Sequence, residues 1–150
     1  MNKINRTKER IKKTGEVFTP LELVDEILDQ LPTEQFKDPT KTFLDPACGD
    51  GNFLIRVIAY KIKYGATVEQ ALSTTYGVDI MEDNIQHCKE RLLQLADDYD
   101  NEIHGIKEAK EKYGHIIDKN IVCADALKYH FRFDGSPPYD PENTFDNFFS

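Results

Sequence analysis

Apolar residues recur along this chain with a helical period in some stretches and as short unbroken runs in others. Leu21, Val24, Ile27, Leu28 and Leu31 return at helical spacing, and Pro32 closes the run. In front of it, Thr19-Pro20-Leu21-Glu22 reads as a capping box, with Thr19 as N-cap and Pro20 at the first helical position. The polar stretch TEQFKDPTK leads to TFLD, a short buried strand. Phe53, Leu54, Val57, Ile58 and Ile62 form one face of a second helix, capped by Asn52 and stopped at Gly65. A shorter helix is expected over Val68 to Leu72, then a second strand, TTYGVD. Glu82 to Asp97 predicts a third main helix with Ile85, Cys88, Leu92 and Leu95 inward. From Asp97 to Lys119 the chain is charged and weakly patterned, which predicts one more helix in a solvated insertion. NIVCAD is the third strand; after Leu127 aromatics mix with turn signals and the pattern fades.

Strands alternating with helices predict an α/β fold around a parallel sheet, with right-handed crossovers. Ligands of such sheets sit beyond the carboxyl ends of the strands. All three expected strands end in an aspartate at that edge: Asp45, Asp79 and Asp125.

Composition narrows the class. With 150 residues, 39% of them hydrophobic, the chain holds one modest domain with a real core. The pattern divides it into a basic arm, residues 1–13, and a domain over 14–150. A net charge of −8 weighs against the whole surface lying on a phosphate backbone. The arm is the exception, for Lys3, Arg6, Lys8, Arg10, Lys12 and Lys13 face only Glu9 there. It is either a solvated terminus or an arm that contacts DNA or RNA. No apolar run is long enough for a membrane span, and the basic N-terminus lacks the apolar stretch of a signal peptide. Three cysteines without a C-x-x-C pair read as reduced cytoplasmic thiols, and the scattered histidines propose no metal.

FLDPACGDGNFL (43–54) carries the chemistry. A dinucleotide fingerprint needs a third glycine where Leu54 stands, and Asp45 and Asp50 would repel a pyrophosphate. No Gly-Lys-Ser/Thr follows, so an ATP loop fails too. S-adenosylmethionine has no phosphate and suits the carboxylates. Asp45 favours its ammonium and sulfonium, the Gly49–Gly51 turn admits close backbone approach, and helix-start amides meet its carboxylate. Asp79 can accept from the ribose hydroxyls, Ile80 can pack on adenine, and Asp125 can accept from the adenine amine. Singly, each aspartate also reads as a turn or cap residue. In order, each at a strand end, they favour the ligand.

TGEVFTP (14–20), DPACGDGNFL (45–54), GVDI (77–80) and CADAL (123–127) resemble the cofactor motifs of N6-adenine DNA methyltransferases, chiefly the type I and type IIG restriction–modification subgroup and short phage methylase-like proteins. The resemblance implies a Rossmann-like S-adenosylmethionine-dependent methyltransferase fold, truncated in its catalytic half and without a target-recognition region. It implies that Phe18, Thr19 and Pro20 close over the methionine end of the cofactor, above a loop containing Asp45, Ala47, Gly49 and Gly51. It further implies ribose and adenine contacts at Asp79 and Ile80, and an adenine-edge contact at Asp125 and Ala126.

The family's catalytic tetrapeptide is matched in letters by Ser136-Pro137-Pro138-Tyr139. The resemblance gives Ser136 and Pro137 the task of orienting a target amine, and Tyr139 that of stacking on a flipped base. Phe133-Asp134 runs straight into Gly135 without an aliphatic strand, so a polyproline turn is the other reading. Three strands would leave the first as an edge, which the C-terminal aromatics, a second copy or a partner subunit could cover. Two further readings stand beside the enzyme. One is a non-catalytic binding protein that docks on a methylase or restriction subunit. The other, a nicotinamide-dependent oxidoreductase, is opposed by Asp45 and the missing glycine.

Overall fold

A computed structural model of the chain describes residues 19–128 and Phe133. Helix α1 (Leu21–Asp29) is followed by the single turn α2 (Glu34–Lys37), strand β1 (Phe43–Asp45), α3 (Asn52–Lys63) and α4 (Val68–Ser73). Then come β2 (Thr75–Asp79), α5 (Glu82–Tyr99), α6 (Ile106–Asn120) and β3 (Ile121–Cys123). The strands make one parallel sheet in the order β1-β2-β3, with Phe43 opposite Thr75 and Gly77 opposite Ile121. The expected α/β architecture is therefore present, with helices flanking a three-stranded sheet.

Two apolar clusters hold it together. The larger joins Leu54 and Ile58 of α3, Leu72 of α4, Ile85, Cys88 and Leu92 of α5, and Tyr113 and Ile117 of α6. The smaller joins Val24 and Leu28 of α1 to Phe36 and Val57. Helix α1 runs alongside α3, held at two points: Arg56 donates two bonds to Asp25, at 2.7 and 2.9 Å, and Tyr60 donates to Asp29 at 2.8 Å. Both partners of the Arg56–Asp25 pair are about a third exposed (38% and 32%), so it adds at most ~1 kcal/mol and mainly sets register.

Lys61 joins four pieces of chain. The residue is only 2% exposed. The ammonium donates to the carbonyls of Lys41 and Thr74, both at 3.2 Å, and to the hydroxyls of Thr74 (2.8 Å) and Thr75 (3.0 Å). The amino end of β2, the end of α4 and the approach to β1 are thereby fixed against α3.

Several expectations are corrected. Thr19 does not cap α1 with its side chain; Pro20 is the N-cap and its carbonyl accepts from Val24 N–H at 3.0 Å. Proline has no N–H to spend, so the helix starts one residue later without a side-chain cap. Asn52 is the first residue of α3, not its cap; that position belongs to Gly51, and the Asn52 amide is engaged elsewhere. The capping box lies at Thr67 and Gln70 instead, opening α4. The third strand stops at Cys123, leaving Asp125 in the turn beyond it. Nor is the charged insertion merely solvated: Ala109, Tyr113 and Ile117 bury one stripe of α6 against α5. The polar segment before β1 folds into α2 because Phe36 finds the smaller core. The arm (1–13), Phe18 and the tetrapeptide residues Ser136, Pro137 and Tyr139 lie outside the described residues.

Candidate functional site

The carboxyl ends of β1 and β2 meet at a glycine turn. Past Asp45 the β1–β2 pairing continues through Cys48 N–H to Val78 C=O (2.9 Å), so the turn leaves the sheet with its first residues still anchored. Gly51 N–H donates back to Cys48 C=O at 2.9 Å and closes the loop. Gly49 and Gly51 have φ of 56° and 97°, the left-handed region that side chains disfavour. A Cβ on Gly51 would also sit 2.7 Å from the Cys88 sulfur. Gly77 of β2 is held for space alone, since a Cβ there would meet Leu54 at 2.5 Å and the Cys48 sulfur at 3.1 Å. These contacts press the loop onto α5 and β2.

Asp79 ties the two strand ends together. Its Oδ1 accepts from Gly49 N–H at 3.2 Å, while Oδ2 accepts from Met81 N–H and the Asn84 amide, each at 3.0 Å. A carboxylate offers about four acceptor positions, so three donors leave roughly one for anything else. Asp45 accepts from Ala47 N–H at 3.1 Å in an Asx turn. Burial pushes the Asp45 carboxyl above the usual range, the Ala47 bond pulls back, and the nearby Asp79 charge adds to the rise. Asp125 accepts from Leu127 N–H at 3.0 Å, and β3 approaches the site through Ala124 N–H to Asp79 C=O at 2.9 Å. Ile80, beside Asp79, is 55% exposed.

A cleft opens at this edge, lined by Thr19, Asp45, Ala47, Gly49, Asp50 and Phe53, among others. Thr19 is held there from beneath: the Asn52 amide donates to its carbonyl at 2.7 Å. Arg91, reaching across from α5, donates to the Asn52 amide oxygen at 2.8 Å and to Asp50 C=O at 3.0 Å. The same guanidinium stands 3.4 Å from Asp50 Oδ1, a buried oxygen with no hydrogen bond of its own, and offsets its charge. The Cys48 thiol is held protonated, pushed up by its contact with Cys88 and then by burial, and is no nucleophile.

The structure thus gathers Thr19, Asp45, Ala47 and Gly49 around one cleft, with Pro20 and Gly51 adjoining in the chain. Asp79 is bonded to that loop, and Ile80, Asp125 and Ala126 follow β2 and β3 at the same edge. Sequence reasoning missed Arg91, Asn84 and the tasks of Asn52. A signal existed for two of these. Arg91 falls three residues after Cys88 and four before Leu95, and Asn84 four before Cys88, on the stripe that α5 turns inward. A polar residue on an apolar stripe needs a partner.

Fold and site together define a parallel α/β domain whose candidate cleft lies at the carboxyl edge of its sheet. A family model described as N-6 DNA methylase matches residues 4–122, most of the chain, and the chain belongs to that family. It is also 35% identical over 85 residues to the type II methyltransferase M.VspI of Vibrio sp. (strain 343). That alignment covers 56% of this chain and 18% of the Vibrio protein. No solved structure matches. Among the described residues no helix is long and apolar enough to cross a membrane.

Proposed function

We propose that this chain is the S-adenosylmethionine-binding part of a DNA adenine-N6 methylase, built on a Rossmann-like methyltransferase sheet. The observation that carries the proposal is the Asp79–Gly49 bond, which fixes a carboxylate of one strand end against the glycine turn of another. The donor set fits the ligand. Asp45 is a carboxylate short of positive charge, which the ligand ammonium would supply. Arg91 offsets Asp50 at the back of the loop, so the first amides of α3 remain suited to the ligand carboxylate. Asp79 would take a ribose hydroxyl at its remaining acceptor position, with Ile80 against the base and Asp125 and Ala126 at its edge. Phe18, Thr19 and Pro20 would cover the methionine end.

When bound, the cofactor supplies an electrophilic methyl group. In this reading Ser136 and the Pro137 carbonyl accept hydrogen bonds from the exocyclic amine of a flipped adenine, and Tyr139 stacks on its ring. Held this way, the amine nitrogen would take the methyl group and release one proton to water, leaving a neutral thioether. Lys3, Arg6 and the other cations of the arm would meet DNA phosphates.

Calorimetry with S-adenosylmethionine on the native chain and on Asp79→Asn tests the site. The native chain is expected to bind and the variant to bind at least tenfold more weakly, since one charge-assisted bond is worth about 1.5–3 kcal/mol. A native chain that does not bind removes the cofactor reading, and an unchanged variant moves the site elsewhere. Radiolabelled methyl transfer to DNA, lost in Tyr139→Ala, tests the catalytic half; transfer indifferent to that change clears the tetrapeptide of a role.

A further inference from the structure

We infer that Arg91 is a positioning residue for this cleft, setting the glycine loop and the Thr19 segment as one unit. Arg91 lies on α5, outside every motif of the cofactor site, yet one of its nitrogens donates to Asp50 C=O at 3.0 Å and to Asn52 Oδ1 at 2.8 Å, and stands 3.4 Å from Asp50 Oδ1 as its counter-charge. The Asn52 amide then has a fixed orientation. Its oxygen is taken by Arg91, so its nitrogen must point the other way, and it does, to Thr19 C=O at 2.7 Å. Thr19, Asp50 and Asn52 all line the cleft. The relay therefore runs from the middle of a packed helix, through the loop, to the segment on the opposite rim.

Burial makes the relay demanding. The Arg91 side chain is 16% exposed and that of Asp50 is 20% exposed, so water can replace the guanidinium only in part. Removing it leaves the Asp50 carboxylate without its counter-charge, and the Asp50 carbonyl and Asn52 oxygen without their donor. The Asn52 amide is then free to turn over and lose Thr19. Lysine retains the charge, but its ammonium ends one bond short of the place where Nη1 meets both acceptors. The conservative variant thus separates charge from geometry.

Three chains are compared: native, Arg91→Lys, and Lys89→Met, a control that breaks the α5–α6 ion pair with Asp118 at 3.1 Å without touching the cleft. Amide hydrogen exchange is read for peptides covering residues 19–23 and 45–54, with thermal melting alongside and S-adenosylmethionine affinity by calorimetry. In Arg91→Lys both peptides are expected to exchange about tenfold faster while α6 and β2 keep native rates, and affinity to fall roughly tenfold to a hundredfold. Lys89→Met should leave both readouts native. Native exchange and native affinity in Arg91→Lys overturn the inference. So does loosening spread evenly over the sheet, which marks a generally structural arginine. The affinity arm rests on the cofactor reading above; the exchange arm does not. A native chain that fails to bind thus sinks that reading, and the exchange of the two peptides still decides the role of Arg91.

Discussion

At the scale of single residues, the site holds a carboxylate whose charge folding alone disfavours. It belongs to Asp45. Its carboxyl is raised from 3.8 chiefly by burial, so between that value and its folded one the native state holds more protons than the unfolded chain. Stability therefore falls as pH rises through that window, and the cost of the buried charge is fully present above it. Asp45→Asn keeps an oxygen for Ala47 N–H, retaining the turn, but removes the charge. The variant should melt higher than the native chain at pH 7, with the gain vanishing below about pH 4, where both chains are neutral at this position. It should also bind S-adenosylmethionine more weakly. Melting curves from pH 3 to 8 and one titration check both halves. Equal melting at pH 7 would show that the carboxylate is solvated after all.

Among the elements, those whose code is local were legible in the chain. The glycine stop after α3 is one: Ala66 N–H reaches Lys61 C=O and Gly65 N–H reaches Ile62 C=O, both at 3.0 Å, closing a Schellman turn around Gly65. The inward stripe of α5 and the strand-end aspartates Asp45 and Asp79 were legible for the same reason. What escaped depends on partners distant in sequence. Asn52 looks like a cap until Thr19 and Arg91 claim both ends of its amide. Phe36 looks like loop until α1 and α3 give it a core. Lys61 lies on the apolar side of α3, where sequence alone gives no hint of the four oxygens awaiting it. Desolvation lowers its ammonium to about 8 from 10.5. Between those values the unfolded chain binds the extra proton, so stability should rise as pH climbs from about 8 to 10.5, by up to ~3 kcal/mol. The four acceptors favour the charged form and make that an upper figure. Lys61→Met should lose the rise. Urea denaturation across this range decides, and identical pH profiles for the two chains would contradict a buried titrating ammonium.

For the whole molecule, the pleat of the central strand sorts the structure into two sides. Thr75 meets Lys61, and Gly77 faces Leu54 and Cys48, so the odd-numbered residues of β2 look toward the helices. Tyr76 and Val78 look the other way, and register places Leu44 and Val122 beside them. None of these four belongs to either core cluster, although Val78 is fully buried. Parallel sheets are ordinarily covered on both faces. Among the described residues, Phe133 provides cover on this second side: its ring lies on Tyr76 with centroids 4.8 Å apart and planes at 48°. That contact joins the chain beyond β3 to the middle of the sheet. An aromatic pair is worth about 0.5–1.5 kcal/mol beyond the area it buries. Tyr76→Ala, Phe133→Ala and the double variant therefore form a cycle with a definite expectation. Each single change should destabilise by roughly 1–3 kcal/mol, and the double change by about 0.5–1.5 kcal/mol less than their sum. Additive losses would mean that Phe133 merely lies near the sheet. A coupling of the expected size would make Phe133 part of the same cooperative fold as the cleft.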